Sequence, residues 1–442
     1  MSWQAPDIGS VPLLRLGVVP ADGRCQGGIM QYSAAVMEAL VPGGGRRTVD
    51  DVTIIRERRE IRRNGITRPW PVVARWPPRH PRRLVPLLRT LLGVKAVSWV
   101  GDQLRRNRAT AISLPPRDRP EIGLWYRRHG IEFIFWTVPN PLAFECGVPF
   151  VMPVHDLQHR LQPQFPEVSE RGEWQMREQF YRNAARRATV LIADSSEGRD
   201  DILSCYGSLI PPERVMSLPF VPPPHVHVED ADAQIERVRR TVALPDRYLF
   251  YPAQFWPHKN HLGIVRALGL LRARGRVDIR VVFCGSHSGH IRTAAHRATM
   301  ALARELGVAA QVTTLPYVED AMITGLYLGS EGLVMPTFFG PTNIPITEAW
   351  RLRRSVITSN IRGVSNQAGD AALLVDPNSP GNLADAMLAV WDDPSLRERL
   401  VEAGRRREVA WTPQDFAARL REILIAASAL ARSDGGQRGR SS

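Results

Sequence analysis

The chain has 442 residues, of which 44% are hydrophobic, and its 58 Lys and Arg against 44 Asp and Glu give a net charge of +14 at pH 7. This length exceeds one ordinary hydrophobic core, so two domains are expected, and the charge favours an anionic partner: a phosphorylated substrate, a membrane surface or nucleic acid. An Arg-rich genome would give the same charge without any partner. The scattered cysteines Cys25, Cys146, Cys205 and Cys284 exclude a zinc ribbon and give no sign of a disulfide framework, which indicates a reducing compartment.

The first half of the chain has the pattern of a parallel α/β sheet. A candidate strand at 13–19 precedes a Gly-rich turn and a helical pattern that starts after Gly28. Further short apolar runs lie at 131–136, 149–156 and 188–195. Short, partly β-branched runs separated by helical sequence are typical of buried parallel strands with crossover helices. A Pro-rich break at 218–230 ends this pattern, so a first domain is predicted over residues 1–220.

The alternation of strand and helix restarts after the break, with strands predicted at 248–254 and 278–285. A second domain is predicted over 221–410, then a helix over 411–432 that returns to the first domain, and a disordered tail over 433–442. This repeated alternation of strand and helix predicts an α/β fold of two facing, doubly wound Rossmann-like domains. Ligands are expected beyond the carboxyl ends of the strands, in the interdomain cleft.

Residues 56–108 stand apart because Arg clusters alternate with Trp and Leu-rich sequence. Basic residues attract anionic headgroups and Trp settles at the lipid interface, so this segment predicts contact with an anionic membrane surface; a solvated basic face is the alternative. The N-terminal sequence lacks the pattern of a signal peptide, and no apolar run approaches the about 18 residues of a spanning helix. We expect a cytoplasmic protein, peripheral at most on the inner face of the plasma membrane.

Lys occurs only at positions 95 and 259, and Lys259 lies in the stretch PAQFWPHKNH, directly after a predicted strand. The Lys ammonium is a compact point charge that suits phosphate oxygens, and a loop beyond a parallel strand lies at the ligand-binding edge of the sheet. Lys259 is therefore predicted to bind a phosphate group. The alternative is chance in an Arg-rich composition.

Several stretches in order resemble the retaining glycosyltransferases of family four, the glycosyl transferases group 1, in a subtype with a GPTN turn. They are YPAQFWPHKNH (251–261), PTFFGPTNIPITEAWRLRRSVITSN (336–360), GDAALLVDP (369–377), GGIMQY (27–32) and PVHDLQHR (153–160). The resemblance covers nearly the whole chain apart from 56–108 and the tail. It implies the GT-B architecture, a nucleotide-diphosphate sugar donor, a glycan or lipid-linked glycan acceptor in bacterial surface polysaccharide synthesis, and retention by front-face displacement. No Asp-x-Asp metal signature lies in a credible loop, so we expect neither a metal ion nor a cofactor.

The resemblance also implies roles for individual residues. Lys259 would neutralise the departing diphosphate, Glu348 would bind the ribose hydroxyls, and His155 would contact the transferred sugar; these three are the predicted catalytic residues. Donor binding is further predicted for Gly27, Gly28, Gln254, Thr342 and Asn343. As alternatives, Glu348 complements a helix dipole at a predicted helix start, and His155 is a structural histidine.

Two positions depart from the family pattern. Gly340 replaces the family's first Glu, which contacts the donor sugar, and Gln254 replaces a phosphate-binding Arg. A nearby guanidinium is expected to substitute, and the candidates are Arg351, Arg353, Arg354 and Arg362. Both departures favour the alternative function, a GT-B protein that binds nucleotide sugars without turnover. No nucleic-acid-binding motif is present, so a nucleic acid partner is not expected.

Overall fold

The computed structural model of the chain describes residues 14–21, 27–40, 52–56, 72–74, 118–222, 226–315 and 318–438. These residues form two compact units. Unit 1 contains the described residues up to Gln164, Val168–Leu218 and the chain from Ala417 on, and unit 2 contains Phe165–Glu167 and Pro219–Phe416. The main passage from unit 1 to unit 2 thus follows Leu218, close to the predicted boundary at 220.

Unit 1 is built on a parallel sheet in which seven described strands have the order β3-β2-β1-β4-β5-β6-β7. The strands are β1 (Leu16–Val19), β2 (Val52–Arg56), β3 (Val72–Ala74), β4 (Phe133–Trp136), β5 (Phe150–Val154), β6 (Val190–Ala193) and β7 (Val215–Ser217). The order reverses between β1 and β4. In open α/β sheets a ligand binds beyond the carboxyl ends of the strands at such a reversal.

Helices connect these strands: α1 (Gly28–Leu40), α2 (Pro120–Arg128), α3 (Gln158–Leu161), α4 (Pro166–Ser169), α5 (Glu173–Arg187) and α6 (Ser196–Tyr206). Strands such as FIFW and VLIA are buried along their whole length, as expected where helices cover both faces of a parallel sheet. The core includes Trp136, Met152 and Tyr206, each at most 1% exposed. Complete burial of side chains of this size contributes about 1.5–3 kcal/mol each.

Unit 2 has a second parallel sheet, in which six described strands have the order β10-β9-β8-β11-β12-β13. The strands are β8 (Leu249–Pro252), β9 (Val281–Cys284), β10 (Val312–Leu315), β11 (Gly332–Met335), β12 (Ser355–Ser359) and β13 (Leu373–Val375). This sheet reverses its order between β8 and β11, so the loops after these two strands occupy the ligand-binding position.

The remaining helices are α7 (Ala231–Thr241), α8 (His261–Ala273), α9 (His290–Glu305), α10 (Asp320–Leu328), α11 (Ile344–Arg351), α12 (Val364–Ala368), α13 (Pro380–Asp392), α14 (Pro394–Val409) and α15 (Pro413–Arg438). In both units, parallel strands alternate with crossover helices, which confirms the predicted α/β class of Rossmann-like sheets. None of the helices in the described ranges is long and apolar enough to cross a membrane.

Three strands and one helix end differ from the sequence prediction. β2, β3 and β7 were not predicted, and most of the segment 56–108 lies outside the described residues. The prediction of a disordered tail over 433–442 is wrong for 433–438, because α15 continues to Arg438; residues 439–442 lie outside the described ranges. The apolar residues Ile423, Leu424 and Ala427 bury one side of α15, and the helix extends from this packed part into the polar sequence.

Candidate active site

The loop after β1 in unit 1 contains the predicted Gly pair. Gly27 has a φ of +67°, which glycine adopts without strain, and Gly28 is the first residue of α1. The Gly27 carbonyl accepts a hydrogen bond from Met30 N at 2.9 Å, so the pair turns the chain directly into the helix. Ser33 Oγ accepts from Ala21 N at 2.8 Å and holds the helix start against the end of β1. The amino end of α1 therefore lies at the sheet reversal, where its N–H groups can bind an anion.

His155 directly follows β5 and is oriented by two neighbours. Its Nδ1 lies 3.0 Å from Oδ2 of the buried Asp194, which follows β6, and the Tyr32 ring meets the imidazole edge-on at 5.0 Å between centroids. Burial lowers the pKa of His155, but the Asp194 carboxylate more than offsets this, so the pKa lies above its ordinary value. Asp194 thus holds the ring and stabilises its protonated form. Neither Asp194 nor Tyr32 was identified from the sequence.

Lys259 ends the 3₁₀ turn Pro257–Lys259, between β8 and α8 in unit 2. Its N donates to the Trp256 carbonyl at 2.9 Å, and its own carbonyl accepts from the Tyr251 hydroxyl at 2.8 Å. The backbone of Lys259 is therefore fixed from both sides, while its side chain is only partly buried. The residue lies at the reversal of the unit 2 sheet, as expected, and its phosphate-binding role stays a prediction.

Asn260 joins this turn to two other strand ends. Its Oδ1 accepts from Gly263 N at 3.0 Å and caps α8, and its Nδ2 donates to the carbonyls of Pro336 and Pro377 at 3.0 and 2.8 Å. Pro336 follows β11 and Pro377 follows β13. One amide thus fixes the loops beyond three parallel strands, a role that sequence analysis missed.

His258 connects the same turn to the loop after β11. Its carbonyl accepts from Phe338 N at 2.7 Å and from Thr337 Oγ1 at 3.2 Å. Its own N and Nδ1 donate to Oε1 of Glu167, at 3.1 and 2.6 Å. Burial raises the pKa of Glu167, but the hydrogen bond from His258 outweighs this and holds it below its ordinary range. His258 therefore positions the backbone beside Lys259.

The GPTN turn, residues 340–343, lies between β11 and α11. Asn343 N donates to Gln367 Oε1 at 2.8 Å, and Gln367 Nε2 donates back to the Asn343 carbonyl at 2.9 Å, which locks the turn onto α12. Thr342 Oγ1 is buried and has no hydrogen-bond partner among the described residues. A buried hydroxyl of this kind calls for an explanation, and a bound ligand supplies one.

Gly340 has a φ of +149°, and a Cβ at this position would lie 2.7 Å from Asn343 Nδ2. The Asn343 side chain therefore fills the space into which a larger residue at 340 would project. The turn therefore has no room at position 340 for the Glu that the family pattern has there.

Glu348 lies in the second turn of α11, so its predicted position at a helix start is wrong. The helix begins earlier, at Ile344, with Asn343 at the N-cap position and Pro345 in the first turn. Glu348 is 2% exposed, and its Oε2 accepts from the Tyr327 hydroxyl at 2.9 Å. Because the helix dipole acts mainly on the first turn, it does not account for this buried carboxylate. Ribose binding by Glu348 stays a prediction.

A guanidinium that sequence analysis missed reaches Gln254. Arg292 on α9 donates from Nη1 to Gln254 Oε1, and its guanidinium carbon lies 4.7 Å from the centroid of the Trp256 ring. The two residues are far apart in sequence, and no motif surrounds Arg292. Their meeting depends on how the loops after β8 and β9 pack.

Of the four arginines that were expected to replace the family's phosphate-binding Arg, only one lies beyond the carboxyl end of a strand. Arg351 Nε lies 2.9 Å from Glu408 Oε1, and Arg354 donates to the Ser330 carbonyl at 3.0 Å. Arg353 and Arg354 precede β12 and so lie at the amino end of a strand, opposite the ligand-binding edge. Arg362, which follows β12, is the one candidate beyond a carboxyl end.

No group of three or more His, Cys, Asp or Glu side chains within the described ranges is arranged to hold a metal ion. Metal independence and the lack of a cofactor stay predictions.

Residues 232–407, which lie in unit 2, match the family model for glycosyl transferases group 1. This segment is therefore similar to the group 1 glycosyl transferases. The chain is 26% identical over 267 residues to alpha-D-kanosaminyltransferase of Streptomyces kanamyceticus, across 60% of the chain and 67% of that relative. It is 26% identical over 258 residues to D-inositol 3-phosphate glycosyltransferase of Paenarthrobacter aurescens, across 57% of the chain and 60% of the relative. About a third or more of each relative's length is therefore not covered.

Solved structures share the fold of this chain over almost its whole length. Anabaena HepE, in complex with UDP and glucose, matches with a TM-score of 0.61 and 13% identity, across 90% of this chain and 94% of HepE. WaaG, a glycosyltransferase involved in lipopolysaccharide biosynthesis, matches with a TM-score of 0.62 and 15% identity, across 92% and 99%. These likenesses confirm the predicted GT-B fold class; at such identity they show the fold alone.

Proposed function

We propose that this protein is a glycosyl transferase, which moves a hexose or deoxyhexose from a nucleotide-diphosphate sugar to a glycan or lipid-linked glycan in bacterial surface polysaccharide synthesis. The observation that carries the proposal is the connection of the Lys259 turn to the loop that leads into the GPTN turn, at the reversal of the unit 2 sheet. The UDP bound to HepE supports a nucleotide-diphosphate donor, and the involvement of WaaG in lipopolysaccharide biosynthesis supports a surface glycan.

The chemistry of the donor suits the residues of unit 2. When the sugar leaves, negative charge grows on the diphosphate, and a partly buried ammonium at Lys259 stabilises that charge more than it stabilises the ground state. The buried hydroxyl of Thr342 and the second N–H of the Asn343 side-chain amide offer hydrogen bonds to the donor, and the Glu348 carboxylate accepts from the ribose hydroxyls.

We propose that transfer proceeds with retention, by displacement on one face of the sugar. The bond from the anomeric carbon to the diphosphate oxygen breaks, the acceptor oxygen bonds to that carbon, and the acceptor proton passes to the departing phosphate oxygen. This route needs no enzyme nucleophile and no metal ion. In unit 1, His155, held by Asp194, contacts the transferred sugar, and the Gly27–Gly28 turn binds phosphate.

The alternative is a protein that binds nucleotide sugars without turnover, as the Gly340 and Gln254 departures favour. A glycosyl transferase releases nucleoside diphosphate from its donor when an acceptor is present. Binding without release of diphosphate, over a panel of donors and glycan acceptors, would support the alternative.

Thermal stabilisation by UDP, GDP, dTDP and ADP tests the donor site. A ligand at a hundredfold excess over its dissociation constant adds about 2.7 kcal/mol to the free energy of unfolding. We expect one nucleotide to stabilise the wild type and the Lys95→Ala variant, and to lose this effect in Lys259→Ala. Lys95→Ala is a matched control because it removes the same charge at the chain's other lysine. No stabilisation by any of the four nucleotides would contradict the proposal.

A further inference from the structure

The guanidinium of Arg292 carries a charge that no carboxylate balances in the described part of the chain. Its Nη1 donates to the neutral amide of Gln254, and its Nε is buried without a hydrogen-bond partner among the described residues. Burial lowers the pKa of Arg292 below its ordinary value. A partly buried cation without a counter-charge is costly, which points to an anion that binds there.

The position of Arg292 in α9 adds a second unfavourable contribution. The helix begins at His290, no acidic residue lies in its first turn, and no side chain caps it. Arg292 is therefore in the first turn, where the positive end of the helix dipole opposes a cation. An anion bound to this guanidinium would offset both costs, because it would interact favourably with the charge of Arg292 and with the positive end of the helix dipole.

The hydrogen bond between Arg292 and Gln254 determines how the amide is oriented. A guanidinium only donates, so its partner must be the amide oxygen, and Gln254 Nε2 is left with its two N–H groups to donate elsewhere. Gly285, after β9, allows this approach, since a Cβ there would lie 2.8 Å from Gln254 N. Donors from two neighbouring strand ends thus meet in the segment that leads to Lys259.

We propose that Arg292 and Gln254 bind the diphosphate of the donor as a pair. Arg292 supplies from α9 the charge that the family carries at position 254, and Gln254 orients the guanidinium while it donates to phosphate through Nε2. The inference rests on the proposed function and names the residues that complete its phosphate site. The ligand class is a diphosphate, either free or within a nucleoside diphosphate.

Calorimetric titration of the full chain with UDP, GDP, dTDP, ADP and inorganic pyrophosphate tests the pair. The variants are Arg292→Gln, the exchange Gln254→Arg with Arg292→Gln, and Arg297→Gln. Arg297 is an exposed residue of the same helix, so its variant has the same net charge as Arg292→Gln. Loss of a charge-assisted hydrogen bond predicts diphosphate binding weakened about 10- to 100-fold in Arg292→Gln. We expect Arg297→Gln to bind diphosphate as tightly as the wild type. The double variant Gln254→Arg with Arg292→Gln should recover much of the affinity that Arg292→Gln loses.

The outcomes separate this inference from the proposed function. A melting curve shows whether Arg292→Gln is folded. If the folded variant binds diphosphate as tightly as the wild type, the donor site is not contradicted, but the proposed role of the Arg292–Gln254 pair is wrong. Equal weakening in Arg292→Gln and Arg297→Gln would also overturn it, since net charge alone would then explain the effect. If the wild type binds neither the nucleotides nor pyrophosphate, both the proposed function and the pair are overturned.

Discussion

The contact between Gly340 and Asn343 shows how one residue limits another across a tight turn. The positive φ of Gly340, which glycine adopts without strain, and the Asn343 amide beside it both disfavour any side chain at this position. The family's first Glu therefore cannot be restored by substitution at Gly340 alone, because Asn343 occupies the space. Under the proposed function, we expect other groups of the turn to contact the donor sugar.

Substitution of Gly340 by Ala tests this steric account. Gly275 is a matched control, since its φ of +79° is also left-handed but nothing lies within 4 Å of a Cβ there. Both changes strain the backbone by about 1–2 kcal/mol, and the clash with Asn343 should cost Gly340→Ala about 1–3 kcal/mol more. Urea unfolding measures the difference. Equal losses in the two variants would show that the Asn343 contact has no energetic weight.

His261 predicts a dependence of stability on pH. Its ring stacks on Phe255 at 4.2 Å between centroids, and burial lowers its pKa to about 3. The unfolded chain binds a proton at this histidine below about pH 6.5, whereas the folded chain does not, so the free energy of unfolding falls as pH drops from about 6.5 towards 3. The contribution approaches about 1.4 kcal/mol per pH unit.

A His261→Phe variant removes this contribution and keeps a ring in the stack. We expect its free energy of unfolding, measured in urea at pH 7 and at pH 5, to fall less between the two values than that of the wild type. The variant also changes the packing of a buried ring, so the pH dependence is the informative quantity. An unchanged dependence would place the acid sensitivity in other groups.

At the scale of elements, Asn260 holds three strand-end loops with one amide. Asn260→Ala removes the cap of α8 and leaves two buried carbonyls without their donor. We expect a loss of about 2–4 kcal/mol, against about 1 kcal/mol for Ser379→Ala, which removes only the exposed cap of α13. Asn260→Asp keeps the capping oxygen and should remain nearly as destabilised as the Ala variant. Urea unfolding measures the free energy of unfolding of each variant. Full stability of the Asp variant would show that the two carbonyl contacts contribute little.

The elements that were predictable from sequence are those with strong local signals. Runs such as VLIA and FIFW are apolar throughout, and strands of this kind were identified in both units. β3 and β7 have three residues each, which is too short for a local pattern to predict a strand, whereas β2 (VTIIR) has β-branched residues and was overlooked. The turn that contains Lys259 was predictable because a lysine is rare in this chain. The contacts of Asn260 and Arg292 were not, since each depends on loops that meet only when the sheet has formed.

At the scale of the whole molecule, the excess positive charge is concentrated in one segment. Residues 56–108 contain 15 Lys and Arg against three Asp and Glu, a net charge of +12 out of the chain's +14, together with three Trp. The remainder of the chain is therefore nearly neutral. This distribution argues against genome composition as the source of the net charge, because an Arg-rich genome would raise the positive charge throughout.

The charge distribution predicts peripheral, salt-sensitive binding to anionic membranes through residues 56–108. Each basic residue near such a surface contributes about 1 kcal/mol, and salt screens the attraction over roughly 10 Å at 0.1 M. We expect co-sedimentation with vesicles that contain phosphatidylglycerol but not with neutral vesicles, and a decrease at higher salt. Replacement of Arg82, Arg83 and Arg89 by Gln should weaken binding, whereas Arg297→Gln should leave it nearly unchanged. Binding that is insensitive to salt, or equal to both vesicle types, would contradict an electrostatic attachment and favour a solvated basic face.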